Sequence, residues 1–380
     1  MPTLESVVAH ATELRHQLHQ KPELTWAEHS TAEFVRRELT RLGIPWTRCA
    51  DTGSVARLAV GKSGRHIAIR ADLDALPINE TSGVPWTSTV PGKMHACGHD
   101  GHTACLLGAA AWLKAHESRL PGPVTLMFQP AEEWGHGARR MVQEGCLDGI
   151  DAVFGFHNWP GFPDGQWACP DGTLMASNAS WKAVITGRGT HAAAPHDGID
   201  PILVGAHFTT LAQQLVSRIT APQEAAVVGV TSFHAGTANN IIPDTAELLG
   251  TIRSSTTTKR DALAVGLERM LHAACTAAGA TGEFIYEPMY PATVNHASEA
   301  IRARAALERV YGPGKQVAAG VPIMGSEDFS YYLEKKPGAY ILLGTGRDGR
   351  REPCHSPRFD FDDRLIPIVV RLWADLAGLG

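Results

Sequence analysis

Between residues 94 and 102 the chain reads Met94-His95-Ala96-Cys97-Gly98-His99-Asp100-Gly101-His102, and a pair of acids, Glu132-Glu133, occupies the following loop. Thiolate, imidazole and carboxylate donors together suit Zn(II) or a neighbouring divalent ion. Successive residues of a loop point in different directions, so one glutamate can ligate while the other faces substrate and takes a proton from water. The combination predicts a hydrolytic metal centre. Cys97 alone would read as a buried inert thiol, and the imidazole two residues on makes it a ligand instead. His95 and His102 read as supporting or helix-start residues. Cys354, although beside His355, reads as a packing residue, as do Cys49, Cys105, Cys146, Cys169 and Cys275.

The elements that must position these donors are legible as periodicities. Val7, Ala11, Leu14 and Leu18, then Ala32, Val35, Leu39 and Leu42, recur at helical spacing and predict two amphipathic helices. Short apolar runs at 66–69, 124–128, 152–156 and 339–344 predict strands, with a helix through Leu106, Ala109, Ala110 and Leu113 and a closing helix over 365–376. This is an α/β sheet covered by helices. From 180 to 290 the rhythm becomes strand (180–186), helix (200–217), strand (225–233), strand (245–252), helix (257–278), strand (283–286), the βαββαβ order of a ferredoxin-like unit. The expected organisation is a catalytic metal-binding domain of residues 1–179 and 291–380, with residues 180–290 inserted as a lid and dimerisation domain.

The reactive residues fall beside strand ends. Asp72 and Asp74 follow the 66–69 run, Glu132 and Glu133 follow the 124–128 run, His157 closes the next strand, and His355 lies a loop beyond the late one. Open α/β sheets bind ligands outside the carboxyl ends of their strands, so these loops converge on one crevice. A net charge of −5 with both signs dispersed offers no basic stripe for nucleic acid. No segment reaches the roughly 18 apolar residues of a membrane span. Seven scattered cysteines form no disulfide framework, as in a reducing compartment. A cytoplasmic enzyme acting on a small molecule is expected.

These motifs resemble the co-catalytic metallo-aminoacylase and carboxypeptidase family, and within it the amidohydrolase branch of hippurate and auxin-conjugate hydrolases. The likeness runs through 19–24, Arg70-Ala71-Asp72-Leu73-Asp74-Ala75-Leu76-Pro77, Cys97-Gly98-His99-Asp100, Gln129-Pro130-Ala131-Glu132-Glu133, His157-Asn158-Trp159-Pro160, 191–196, Asn240-Ile241-Ile242-Pro243-Asp244 and His355-Ser356-Pro357. It implies Cys97, His99, Glu133, His157 and His355 as ligands of two divalent ions, Zn2+ first and Mn2+, Ni2+ or Co2+ as alternatives, with Cys97 bridging them. Glu132 would be the general base and Asp74 an orienting acid. Peptidase relatives carry a ligand histidine two residues before that acid; here the position is Asp72, and His99 takes over. The resemblance further implies His191 as oxyanion stabiliser, reaching a neighbouring subunit's site in a homodimer, and Asn240 and Arg253 as holders of the substrate carboxylate.

The activity implied is hydrolysis of N-acyl amino acids to a carboxylic acid and an amino acid. A dipeptidase, carboxypeptidase or N-acetyl-amino-acid deacetylase on the same dinuclear site is the alternative. Where relatives carry small residues after the paired glutamates, this chain has Trp134-Gly135-His136-Gly137, and Trp159 and Phe162 follow His157. These aromatics favour a hydrophobic acyl group such as benzoyl, indoleacetyl or a fatty chain over acetyl. A metal-free cysteine hydrolase using Cys97, and a binding protein without turnover, are the rival classes.

Overall fold

The computed structural model describes residues 1–346 and 352–380. They divide into two compact units, one of Met1–Leu174, Val294–Val321 and Asp328–Gly380, the other of Met175–Thr293 and Pro322–Glu327.

Along the chain the first unit supplies α1 (Leu4–His19), α2 (His29–Arg41), β1 (Trp46–Cys49), β2 (Gly53–Leu58), β3 (Ile67–Asp72), α3 (His99–Ala115), β4 (Val124–Gln129), α4 (Gly137–Gln143), β5 (Ala152–Pro163) and β6 (Trp167–Ala168). After β7 (Gly172–Met175) come β8 (Ser177–Thr186), β9 (Thr190–His191), α5 (Pro201–Ala212), β10 (Ala226–Ala235), β11 (Ile241–Ile242), β12 (Thr245–Ser254), α6 (Thr257–Ala278) and β13 (Thr281–Pro288). β14 (Thr293–Asn295), α7 (Ala297–Tyr311), α8 (Ser330–Leu333), β15 (Gly338–Gly346) and α9 (Leu365–Ala374) complete the chain.

The first unit is a seven-stranded mixed sheet ordered β1-β2-β4-β3-β5-β15-β6, with β3 parallel to β4 and β5, and β5 parallel to β15. Every residue of β3 and β4 is buried, as in a sheet covered on both faces. α1 buries Val7, Ala11, Leu14 and Leu18, and α2 buries Ala32, Val35 and Leu39, the stripes their periodicity predicts. From β3 the chain passes to β4 on one side and then to β5 on the other. The sheet therefore has a topological switch point at the carboxyl ends of β3 and β5, where two connections diverge and leave a crevice. Asp72 pairs with Gln129 at the ends of β3 and β4, whereas His157, expected to close its strand, stands beside Leu342 in the middle of β5, which runs on to Pro163.

The second unit is an antiparallel sheet ordered β10-β12-β8-β13 with α5 and α6 packed on it. Chain order β8, α5, β10, β12, α6, β13 gives the ferredoxin-like arrangement. Trp181 packs between Phe208 and Phe284, and a Cβ at Gly250 would lie 2.2 Å from its indole, so only glycine lets β12 pass there. Asp200 caps α5 through the amides of Ile202 and Leu203, and Thr256 caps α6. The expected helix to residue 217 instead stops at Ala212, and Leu215–Ile219 forms a separate wider turn. The segment Pro322–Glu327 joins this unit because the Ala176 amide donates to the carbonyls of Ile323 and Gly325.

Candidate metal centre

Cys97 stands two residues before His99, the first residue of α3. Gly98 between them has φ 96°, and a Cβ there would meet Asn158 Oδ1 at 2.3 Å, so both backbone conformation and space demand glycine. The helix start is anchored from behind by Asp100, whose Oδ2 lies 2.8 Å from His19 Nδ1, itself joined to Glu80 at 3.1 Å. Arg15 adds a further cation to this buried cluster.

The imidazoles are oriented by backbone carbonyls. His99 Nδ1 lies 2.8 Å from the Asp74 carbonyl oxygen and His157 Nδ1 lies 2.6 Å from that of Asn158. A carbonyl only accepts, so each ring keeps its proton on Nδ1 and turns Nε2 inward. His157 Nε2 is 3.3 Å from Cys97 Sγ, and His99 Nε2 is buried with no hydrogen-bond partner. Donor atoms of Cys97, His99 and His157 fall within 4.8 Å of one another, as do those of Cys97, Glu133 and His355, and those of His99, Glu132 and Glu133. Cys97 is common to the first two groups.

Asp74 sets the acidic loop. Its Oδ1 accepts from the amide of Glu132 (3.0 Å), and its Oδ2 from the amide of Glu133 (2.9 Å) and the hydroxyl of Thr25 (2.8 Å). Two adjacent amides on one carboxylate leave the glutamate side chains to diverge. Glu133 Oε1 lies 3.1 Å from His355 Nε2 without hydrogen-bond alignment. His355 reaches that position from a left-handed backbone, φ 70°, with its amide donating to Ala96 O at 2.7 Å.

The charges fit a cation. Burial opposes protonation of His99, but Asp72, Asp74 and Glu133 outweigh it and raise the ring to about 10. The same acids would stabilise a divalent ion at Nε2 in place of a proton. Contact with the Cys354 thiol, burial, and the nearby Glu133 and Glu132 hold the Cys97 thiol well above its ordinary range, so its thiolate needs a neighbouring cation. Burial holds His157 neutral. An orphaned buried Nε2, an unaligned buried carboxylate oxygen and a suppressed thiolate in one place fit a metal cation.

Three histidines within eight residues have different fates. His102 is held on both nitrogens, Nδ1 at 2.7 Å from Asp72 Oδ1 and Nε2 at 2.7 Å from Asn158 Oδ1, which leaves no lone pair for a metal. His95 is buried beside His19, with neither ring nitrogen hydrogen-bonded, and burial lowers it to about 4. Sequence reasoning overlooked the network behind the site, in which Arg70 reaches Asp72, Gln129 and Asp328. A buried arginine inside an otherwise apolar strand was the available signal. A separate cavity of about 390 Å³ against α1 and α3, lined by Val7, Ala11, Leu14 and Leu107, has its rim charges paired, His10 and Arg41 with Glu38 and Lys114 with Glu117, and lies away from these donors.

The remaining predicted residues belong to the second unit. His191 and Asn240 meet at the small β9–β11 ladder, where the Ala192 amide donates to Asn240 O at 3.0 Å. The Ala193 amide donates to His191 Nδ1 at 3.0 Å, which leaves the neutral ring's proton on Nε2 as an outward donor. Arg253 lies on β12 between Asn178 and Val227, half-buried, with no carboxylate in ion-pair range among the described residues.

Comparison with known proteins bears on this geometry. The model of the family described as peptidase family M20/M25/M40 matches residues 68–378. The chain is 38% identical to the thermostable carboxypeptidase 2 of Saccharolobus solfataricus, over 96% of this chain and 94% of that one. It is equally 38% identical to the IAA-amino acid hydrolase ILR1-like 4 of Arabidopsis thaliana, over 96% of this chain and 84% of that protein. Among solved structures, the Bacillus subtilis YXEP protein, described as a dinuclear metal binding peptidase from M20 family, superposes with a TM-score of 0.85 at 35% identity, covering 98% of both chains. The chain therefore belongs to peptidase family M20/M25/M40, in its amidohydrolase branch, and is a metal-dependent hydrolase of amide bonds.

Proposed function

We propose that this enzyme hydrolyses N-acyl amino acids, with a hydrophobic or aromatic acyl group as in hippurate, to a carboxylic acid and a free amino acid. The observation that carries the proposal is the pair of donor groups sharing Cys97, with Glu132 alongside them. Cys97, His99 and His157 would hold one divalent ion and Cys97, Glu133 and His355 a second. Zn2+ suits this mixed set best, and Mn2+, Ni2+ or Co2+ are accommodated by the same donors. Such ions supply Lewis acidity to the amide carbonyl and make water acidic near neutrality.

The residues divide the remaining work. Glu132 takes a proton from the attacking water and passes it to the leaving nitrogen as the amide bond breaks. His191 donates from Nε2 to the developing oxyanion. Arg253 grips the amino acid's carboxylate through its guanidinium fork, with Asn240 as a second donor. The apolar side chains exposed on α5 and on the edge strand β10, Ile202, Leu203 and Val227, support a homodimer formed through the second unit.

A panel of N-acyl amino acids varied at both ends, set beside simple dipeptides and N-acetyl amino acids at saturating metal, tests the substrate class. Benzoyl and indoleacetyl conjugates should be cleaved with the highest kcat/KM, and activity should vanish on chelation and return with Zn2+. Preference for dipeptides would make the enzyme a dipeptidase or carboxypeptidase. Preference for N-acetyl substrates would make it a deacetylase.

A further inference from the structure

We propose that Cys354 and Cys97 are a redox pair, and that a peroxide joins them in a disulfide when the metal centre is empty. Three contacts place the segments that carry the two sulfurs side by side. The His355 amide donates to Ala96 O at 2.7 Å, which ties the segment carrying Cys354 against the segment carrying Cys97. Consecutive residues of β5 then engage the two sulfurs: His157 Nε2 lies 3.3 Å from Cys97 Sγ, and Asn158 Nδ2 donates to Cys354 Sγ at 3.8 Å. Cys49, Cys105, Cys146, Cys169 and Cys275 are buried, whereas Cys354 is partly exposed and open to a small oxidant.

The chemistry balances with hydrogen peroxide as the oxidant. The Cys354 thiolate attacks one peroxide oxygen, the O–O bond breaks, and a sulfenic acid and water result. Cys97 sulfur then attacks the sulfenic sulfur as its proton passes to His157 Nε2, 3.3 Å away; an S–S bond forms, the S–O bond breaks, and the leaving hydroxide takes that proton to become a second water. Two thiols lose two electrons and two protons in all, and both peroxide oxygens end as water. The further consequence rests on the metal reading above: a disulfide withdraws the sulfur that both donor groups share, so oxidation would empty the centre until a dithiol restores it. A bound ion would engage Cys97 and protect it.

The experiment treats the full-length protein, chelated or loaded with Zn2+, with hydrogen peroxide and analyses it without reduction. The chelated protein should lose two titratable thiols, and peptide mapping should join residues 94–114 to residues 352–358, with fragmentation placing the bridge on Cys97 rather than Cys105. The Zn2+-loaded protein should form the bridge at least about tenfold more slowly, since a coordinated thiolate is a poor nucleophile. Oxidised protein should bind no Zn2+ until dithiothreitol is added. Cys354→Ser should abolish the bridge while retaining the circular dichroism and metal content of the wild type. Absence of the 94–114 to 352–358 link, or the same two-thiol loss in Cys354→Ser, overturns the redox pair. A confirmed link in protein that, when reduced, binds no metal would instead overturn the metal reading and leave the pair standing.

Discussion

Asp74 is the residue whose removal should test the architecture most sharply. Its buried carboxylate accepts from the buried amides of Glu132 and Glu133 and from the half-buried Thr25 Oγ1. In Asp74→Ala the Thr25 hydroxyl retains an acceptor, the Glu133 carbonyl oxygen at 2.8 Å, so its loss is small. The two amides lose their bonds to the Asp74 carboxylate, and each such loss at a buried donor costs about 1–3 kcal/mol. Relief from burying a carboxylate offsets part of that sum, which leaves a destabilisation of about 2–4 kcal/mol. Chelated protein unfolded in urea at pH 7 and followed by circular dichroism reads this cost, free of stabilisation by bound ligand. Freed from their anchor, Glu132 and Glu133 lose their fixed directions, and Zn2+ affinity measured by chelator competition should fall about 10- to 100-fold. Stability within about 0.5 kcal/mol of wild type together with unchanged Zn2+ affinity would refute the claim that Asp74 orients the loop, because surface substitutions move stability no more than that.

Glu132→Gln should keep full metal content by elemental analysis and lose at least about 100-fold in kcat, the usual contribution of a general base. Arg253→Lys should raise KM about 10- to 100-fold for substrates with a free carboxylate and leave their amidated analogues unaffected, since a charge-assisted hydrogen bond contributes about 1.5–3 kcal/mol. His19, which Asp100 and Glu80 raise to about 10 against the opposing effect of burial, binds its proton more tightly folded than unfolded. Its contribution is complete below pH ~6.5 and is lost as pH rises toward 10, so the urea midpoint of wild type should fall across that window and that of His19→Asn should fall less.

Much of the fold was legible because its information is local. The stripes of α1 and α2, the continuous apolar runs of β3 and β4, and the bounds of α6 follow from periodicity, capping and a terminal glycine, all of which act within a few residues. β1, β2 and α7 were missed. β1 is four residues long and exposes its middle pair, and α7 carries its buried stripe on alanines, so neither announces a hydrophobic period.

The candidate donors came from residue type and spacing, a thiol two residues before an imidazole and paired acids after a strand, which need only side-chain chemistry and sheet topology; His157 lies inside β5 rather than at its end. His99 was already set apart from His95 and His102 in the sequence, but the contacts that distinguish them were not legible there. His95, His99 and His102 share one short segment, and the choice among them was made by distant groups: the Asp74 carbonyl that turns His99 inward, and Asp72 with Asn158, which together occupy His102. The meeting of Cys354 with Cys97 has the same origin, a backbone bond between residues 96 and 355. Residue type limits which bonds a side chain can make, but a hydrogen bond extends about 3 Å, and only the folded chain decides which partner stands within it.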